Sequence, residues 1–180
     1  MAPLPVVPKS NKTAQPGGKK VPAEVVVQRA VTELRLPKPV PRTSPAEDFT
    51  QVVHVPTWMW VERDGWGPVS ETAEVEGVRV TATAMPRKAV WQIGDGHSVV
   101  CRGPGTPWAE GFDAGASSPD CGHTYRRSST AEPDGKFRAK VTVTWDVAWR
   151  GAGQAGTVPG MAMTAELRLA VDEVQAVVSA

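Results

Sequence analysis

The chain has 180 residues, enough for one domain with a full hydrophobic core. Hydrophobic residues make up 41% and charged residues 22%, as in an ordinary globular protein. The net charge of +1 offers no basic excess for nucleic acid and no acidic excess for storing cations. No run of about 18 apolar residues occurs, which predicts no transmembrane helix. Residues 1–8 lack the charged start of a signal peptide, so we expect an exported form to be a trimmed one.

The first 51 residues combine a tail with a short helix. Residues 1–22 are rich in proline, glycine and lysine, which predicts a disordered linker. Its lysines are solvated or form a basic arm near a membrane or an anionic wall polymer. Apolar residues at helical spacing then predict about three helical turns within residues 23–36, between Pro22 and Pro37. Residues 37–51 are predicted to be an extended, proline-rich connector.

From residue 52 to residue 180 the pattern is typical of strands and turns. Apolar and polar residues alternate strictly over 137–149, which predicts a long, half-buried antiparallel strand. Further strands are predicted at 52–61, 69–75, 78–84, 89–93, 97–101 and 164–171, and residues 174–178 are predicted to extend the last one. About seven short strands broken by glycine and proline favour an all-β antiparallel sandwich.

Two segments carry a resemblance to a known domain. Residues 90–96, Val-Trp-Gln-Ile-Gly-Asp-Gly, resemble the W-x-F-G-D-G segment of the polycystic-kidney-disease (PKD) domain, an immunoglobulin-like sandwich. Residues 123–125, His-Thr-Tyr, resemble that family's H-x-Y, and 137–147 resemble the strand that follows it. The resemblance covers about residues 75–147 and implies a PKD-like sandwich with Trp91 in its core. The cysteine-containing stretch between Asp95 and His123 departs from the family's pattern.

Nearly the whole chain, residues 23–178, also resembles a family of exported actinobacterial proteins. The shared features are residues 34–37, 56–60, 101–107, 118–121 and 173–175. No activity is known for that family. The resemblance implies a secreted or cell-envelope protein.

Cys101 and Cys121 are the only cysteines, and they flank the inserted loop where the sandwich would bring the chain back. We predict an intramolecular disulfide, which would stabilise the fold by about 3 kcal/mol in the chain-entropy model. Such a bond implies an oxidising compartment. The alternatives are two free thiols, or half of a zinc site that recruits His97 and His123. Their spacing matches no zinc ribbon or finger, so no metal site is predicted.

Other motifs have simpler interpretations. Residues 151–156 fit G-x-G-x-x-G, but Thr-Val-Pro-Gly follows in place of a helix, so we predict a hairpin loop and no nucleotide cofactor. Asp95, His97 and Ser98, with His123 as a second base, are the residue types of a hydrolytic triad. Neighbours on one turn rarely converge as a triad does, and no catalytic residue is predicted.

The tryptophans are the most informative residues for function. Trp58, Trp60, Trp66 and Trp108 are candidate binding residues, because flat aromatic rings on loops bind sugars or partner proteins. The alternative is that they pack in the core. We expect a non-catalytic module for protein–protein interaction or assembly at the envelope, acting through an edge strand or the Trp58/Trp60 region. Carbohydrate or cell-wall binding through Trp66 and Trp108 is the alternative, and a hydrolase around Asp95, His97 and His123 is the third hypothesis.

Overall fold

The computed structural model describes residues 21–174 of the chain. These residues form one α-helix, α1 (Ala23–Glu33), two short 3₁₀ turns and nine strands. The strands are β1 (Pro41–Ser44), β2 (Gln51–Val52), β3 (Pro56–Val61), β4 (Val69–Val75), β5 (Val78–Gln92), β6 (Ser98–Cys101), β7 (Gly122–Thr124), β8 (Lys136–Gly151) and β9 (Gln154–Asp172). Predictions for residues 1–20 and 175–178 lie outside the described residues.

Two sheets enclose the core. The larger has the order β2-β9-β8-β5-β4, with β6 paired to the second half of β5. The smaller has the order β1-β3-β7. All pairs are antiparallel except β2 with β9. One continuous cluster of buried side chains joins the sheets, as in a β-sandwich. The predicted all-β class is confirmed.

The long strands β5, β8 and β9 form the middle of the larger sheet. Strand β8 confirms the strand predicted at 137–149. Strand β5 is one strand where two were predicted, because its register shifts between Pro86 and Lys88. The buried positions change there from even numbers, such as Ala84, to odd ones, such as Ala89. This bulge keeps both halves of β5 facing the same core.

Helix α1 covers part of the larger sheet. It follows Pro22 and buries Val26, Val27 and Ala30 against β4 and β5. Strand β4 pairs only with residues 78–84 of β5, so the helix lies over that half. The buried side chains of the sheet there are mostly alanine (Ala73, Ala82 and Ala84), which lets the helix approach closely. The smaller sheet is left to pack on the other half.

Two short strands lie where an extended connector was predicted. Strand β1 pairs with β3, and Gln51 in β2 pairs with Val171 of β9. The strand predicted at 52–61 is divided into β2 and β3 by a turn in which His54 has φ 65°. Strands of two to four residues are too short for alternation to be visible in the sequence, so residues 41–44 and 51–52 belong to the sheets without a clear signal.

Candidate functional site

A disulfide ties the two sheets together at one side. It joins Cys101, at the end of β6, to Cys121, directly before β7, with Cα atoms 5.5 Å apart. This confirms the predicted bond, and because both sulfurs are used, the alternatives of free thiols or a cysteine zinc site are excluded. Both cysteines are buried. The bond therefore fixes the edge of one sheet to the edge of the other.

The loop closed by this disulfide folds over the outer face of the smaller sheet. Trp58 Nε1 donates a hydrogen bond of 2.7 Å to the Ala116 carbonyl, and its ring centroid lies 4.8 Å from that of Phe112. Gly105 packs so closely that an added Cβ would lie 2.5 Å from the Met59 carbonyl oxygen. The loop is thus a third layer, and it covers the strand that carries Trp58 and Trp60.

A cleft of about 490 Å³ opens between β6 and β7. Each of these strands has a sheet neighbour on one side only among the described residues, β5 for β6 and β3 for β7. The disulfide closes one part of the cleft. Its lining is mixed in polarity and comes from the turn before β6, from Val99, from residues 117–121 and from β7 with Arg126.

Three side chains with metal-binding and proton-transfer chemistry meet in this cleft. Asp95 Oδ2 lies 2.7 Å from His123 Nε2, and Asp95 Oδ1 lies 3.2 Å from His97 Nδ1. The Asp95 side chain is 5% exposed and that of His123 is 12% exposed, whereas His97 is 68% exposed. Two of the three groups are therefore held inside the protein, and the third reaches in from the surface.

The local chain explains how the carboxylate is positioned. Gly94 and Gly96 have φ of 90° and 100°, and an added Cβ at Gly94 would lie 2.8 Å from the Arg138 carbonyl oxygen. Between them, Asp95 Oδ1 accepts a 2.9 Å hydrogen bond from the His97 amide, which closes the turn. His123 comes from β7, and its ring lies edge-on to Tyr125 at 4.8 Å.

The electrostatics of the cluster depend on the buried carboxylate. Burial acts to raise the pKa of Asp95, but hydrogen bonds from the His97 amide and from His123, with the charge of His123, outweigh it and hold this pKa below the ordinary value of an aspartate. Burial, and then the nearby charge of Asp95, raises the pKa of the Tyr125 hydroxyl. Asp95 is therefore an anion at neutral pH, and Tyr125 stays protonated.

Replacing Asp95 by asparagine is expected to destabilise the fold at pH 7 by about 1.5–3 kcal/mol, since charge-assisted hydrogen bonds are lost. His97, His123 and Tyr125 are the titratable groups that face this carboxylate. Because the folded pKa is lowered, the stabilisation is complete above the ordinary carboxyl pKa and is lost as pH falls through the folded value. Urea unfolding at pH 7 and pH 3, with EDTA present, measures this effect. The difference in free energy of unfolding between wild type and Asp95→Asn should be smaller at pH 3 than at pH 7.

The matched control is Asp146→Asn, which removes an exposed carboxylate paired with Arg87. It should change the free energy of unfolding by less than about 1 kcal/mol at either pH. An equal loss in both variants would contradict the role assigned to Asp95.

The serine hydroxyls near the cluster make their hydrogen bonds elsewhere or are exposed in the described part of the chain. Ser98 lies in β6 and is exposed, and neither histidine has a hydrogen bond to a serine or threonine within residues 21–174. Ser118 lines the cleft, but its hydroxyl donates to Asp120 and accepts from the Cys121 amide. The structure thus brings Asp95, His97 and His123 together, and within the described residues Ser98 forms no hydrogen bond with either histidine of the cluster.

The four candidate tryptophans are placed differently from one another. Trp58 is 3% exposed and offers no surface to a ligand. Trp60 is half-buried beneath the disulfide loop, and Trp66, after the turn Arg63–Gly65, packs against the core. Trp108 is half-buried on the loop itself. In the described part of the chain no ring contact joins any two of them.

The third hypothesis from the sequence groups His123 with Asp95 and His97, but the sequence does not predict the direct hydrogen bond between Asp95 and His123, which lie 28 residues apart. The signal that could have revealed it is the pair of segments resembling G-D-G and H-x-Y, taken together.

Comparison of the chain with protein-family models, curated proteins and solved structures gave no match. Among residues 21–174 no helix is long and apolar enough to cross a membrane.

Proposed function

We propose that this protein is a non-catalytic, PKD-like binding module of the cell envelope, which holds an extended segment of a partner protein in the cleft between β6 and β7. The observation that carries the proposal is that two sheet edges flank one cleft and are fixed to each other by a disulfide. An extended peptide binds well to such an edge, because the backbone groups of the strand pair with it.

The cleft offers both backbone groups and side chains that an extended peptide could contact. The outer edges of β6 and β7 have no strand partner among the described residues, so their backbone groups are free to pair with an added strand. Side chains of the partner would meet Val99 and Thr124 as well as the polar groups around Asp95. The disulfide keeps the two edges at a fixed separation, which lowers the entropy lost on binding.

The class and location rest on further support. The burial of Trp91, which is 1% exposed, agrees with what the PKD resemblance implies for the core of this part of the chain. A disulfide fits an oxidising compartment, and this favours an exported protein.

Glycan binding through tryptophan has less support. Sugar-binding faces need exposed rings that share one surface. Trp58 is buried, while Trp66 and Trp108 lie on different turns without a ring contact between them. Binding of a wall polymer is therefore the alternative, and the following experiment distinguishes it from binding of a partner protein.

The test compares two arginine substitutions on edge strands. Thr124→Arg places a long cation in the cleft, whereas Thr72→Arg places the same side chain on exposed β4, at another edge. Tagged wild-type protein and both variants are incubated with envelope extract, and bound proteins are quantified by mass spectrometry. In parallel, all are sedimented with protein-free cell walls, together with Trp108→Ala.

We expect one partner to be recovered by wild type and Thr72→Arg and lost by at least about tenfold with Thr124→Arg, the effect of removing roughly 1.4 kcal/mol of binding energy. Recovery that is equal in all three proteins would contradict the cleft as the site. Sedimentation with walls that Trp108→Ala abolishes would replace the proposal with the glycan alternative.

A further inference from the structure

The cluster in the cleft has the composition of a metal site. Asp95, His97 and His123 each present one ligand atom, and these atoms all lie within 4.8 Å of one another. A tetrahedral Zn²⁺ ion, with bonds of about 2.0–2.2 Å, holds its ligand atoms about 3.4 Å apart. His123 Nε2 lies 2.7 Å from Asp95 Oδ2 and His97 Nδ1 lies 3.2 Å from Asp95 Oδ1, so both imidazoles are close enough for small shifts to bring them to this spacing around one ion.

Two of the three side chains are already held in position, which lowers the entropy lost when an ion binds. Asp95 is held by the His97 amide, and the ring of His123 is held edge-on by Tyr125. Asp95 Oδ2 and His123 Nε2 already face each other at 2.7 Å, so a metal ion bound by both would replace the hydrogen bond that joins them.

His97 differs from the other two ligands in being largely exposed. His97 comes directly after Gly96, whose φ of 100° is one that glycine adopts readily. The Nδ1 atom of His97 points at the Asp95 carboxylate. An exposed histidine that turns towards a buried Asp–His pair is able to adjust its ring to an ion. The cleft beside it has space for water or for a group of a partner in the remaining coordination position.

We propose that Asp95, His97 and His123 form a binding site for a divalent transition-metal ion of the Zn²⁺ class, with three protein ligands and an open position towards the cleft. Two imidazoles and one carboxylate favour Zn²⁺ over Mg²⁺ or Ca²⁺, which prefer oxygen ligands only. The site is distinct from the cysteine zinc site considered above, since it uses neither sulfur. It goes beyond the proposed partner binding and does not require a partner.

The experiment is calorimetric titration of ZnCl₂ into the full chain after treatment with EDTA and buffer exchange. Wild type is expected to bind one Zn²⁺ ion per chain, and Mg²⁺ is expected to give no competing signal. His97→Ala should weaken zinc binding roughly tenfold or more, as losing a ligand outweighs losing an outer-shell contact. Because His97 is exposed, the His97→Ala variant without metal should have the same unfolding temperature as wild type.

The matched control is His54→Asn, which removes the one histidine outside the cluster. His54 is exposed and has φ 65°, a conformation that asparagine tolerates. Zinc affinity should be unchanged in this variant, and Zn²⁺ should raise the unfolding temperature of wild type and His54→Asn but not of His97→Ala. No zinc uptake by wild type, or equal affinity in His97→Ala, would overturn the proposal.

Discussion

Replacing Cys101 and Cys121 together by alanine is expected to lower the free energy of unfolding by about 3 kcal/mol. The disulfide closes a loop with a sequence separation of 20, and its loss increases the conformational freedom of the unfolded chain. Alanine is preferred to serine because both positions are buried and a hydroxyl there would need a partner. Urea unfolding followed by tryptophan fluorescence measures the effect.

Reduction provides the control for this variant. Wild type unfolded in the presence of a reducing agent should fall to nearly the same stability as the double variant, and the variant itself should not respond. The loop that covers Trp58 should also loosen, so a soluble quencher should reduce more of the fluorescence in the variant. A loss below about 1 kcal/mol would contradict the stabilisation assigned to the disulfide.

Trp91→Ala is expected to cost about 3–5 kcal/mol, the range for removing a large aromatic side chain from a packed core. Trp91 is 1% exposed and lies in the second half of β5, between the two sheets. Its loss would leave a cavity where both sheets meet, so the effect reports on the sandwich itself. Urea unfolding of the variant with the disulfide intact isolates this contribution.

Trp91→Phe is the informative companion. The indole Nε1 of Trp91 has no hydrogen-bond partner within the described residues, so phenylalanine removes volume without breaking a bond. We expect it to lose less than half of the stability lost in Trp91→Ala. Equal losses would contradict the expectation that Trp91 stabilises the core through the volume that it fills.

Sequence pattern predicted the parts of the fold that depend on long, regular repeats. Strand β8 has strict alternation over its length, and α1 has apolar residues at helical spacing after a proline. Strand β5 was divided in two because its bulge at residues 86–88 shifts the alternation by one residue. Strand β1 has only four residues, and its pairing with β3 depends on contacts remote in sequence.

The candidate site was predicted only in part, for a related reason. The contact of Asp95 with His97 is local, since it arises within one turn. The contact with His123 requires the edges of the two sheets to meet, and no local pattern encodes that distance. The sequence makes Trp58 a candidate binding residue, with packing in the core as the alternative, whereas the structure buries it beneath a loop. A layer formed by an irregular loop has no periodicity from which to predict it.

The central claim is that the cleft between β6 and β7 holds part of a partner protein, and site-specific photo-crosslinking tests it most directly. A photoreactive phenylalanine analogue at position 124 lies in the cleft, and the same group at position 72 lies on β4. We predict that irradiation in intact envelopes gives a defined protein adduct from position 124 only, which excess unlabelled wild type prevents. Adducts from position 72 alone, or adducts with wall polymer and no protein, would contradict the claim.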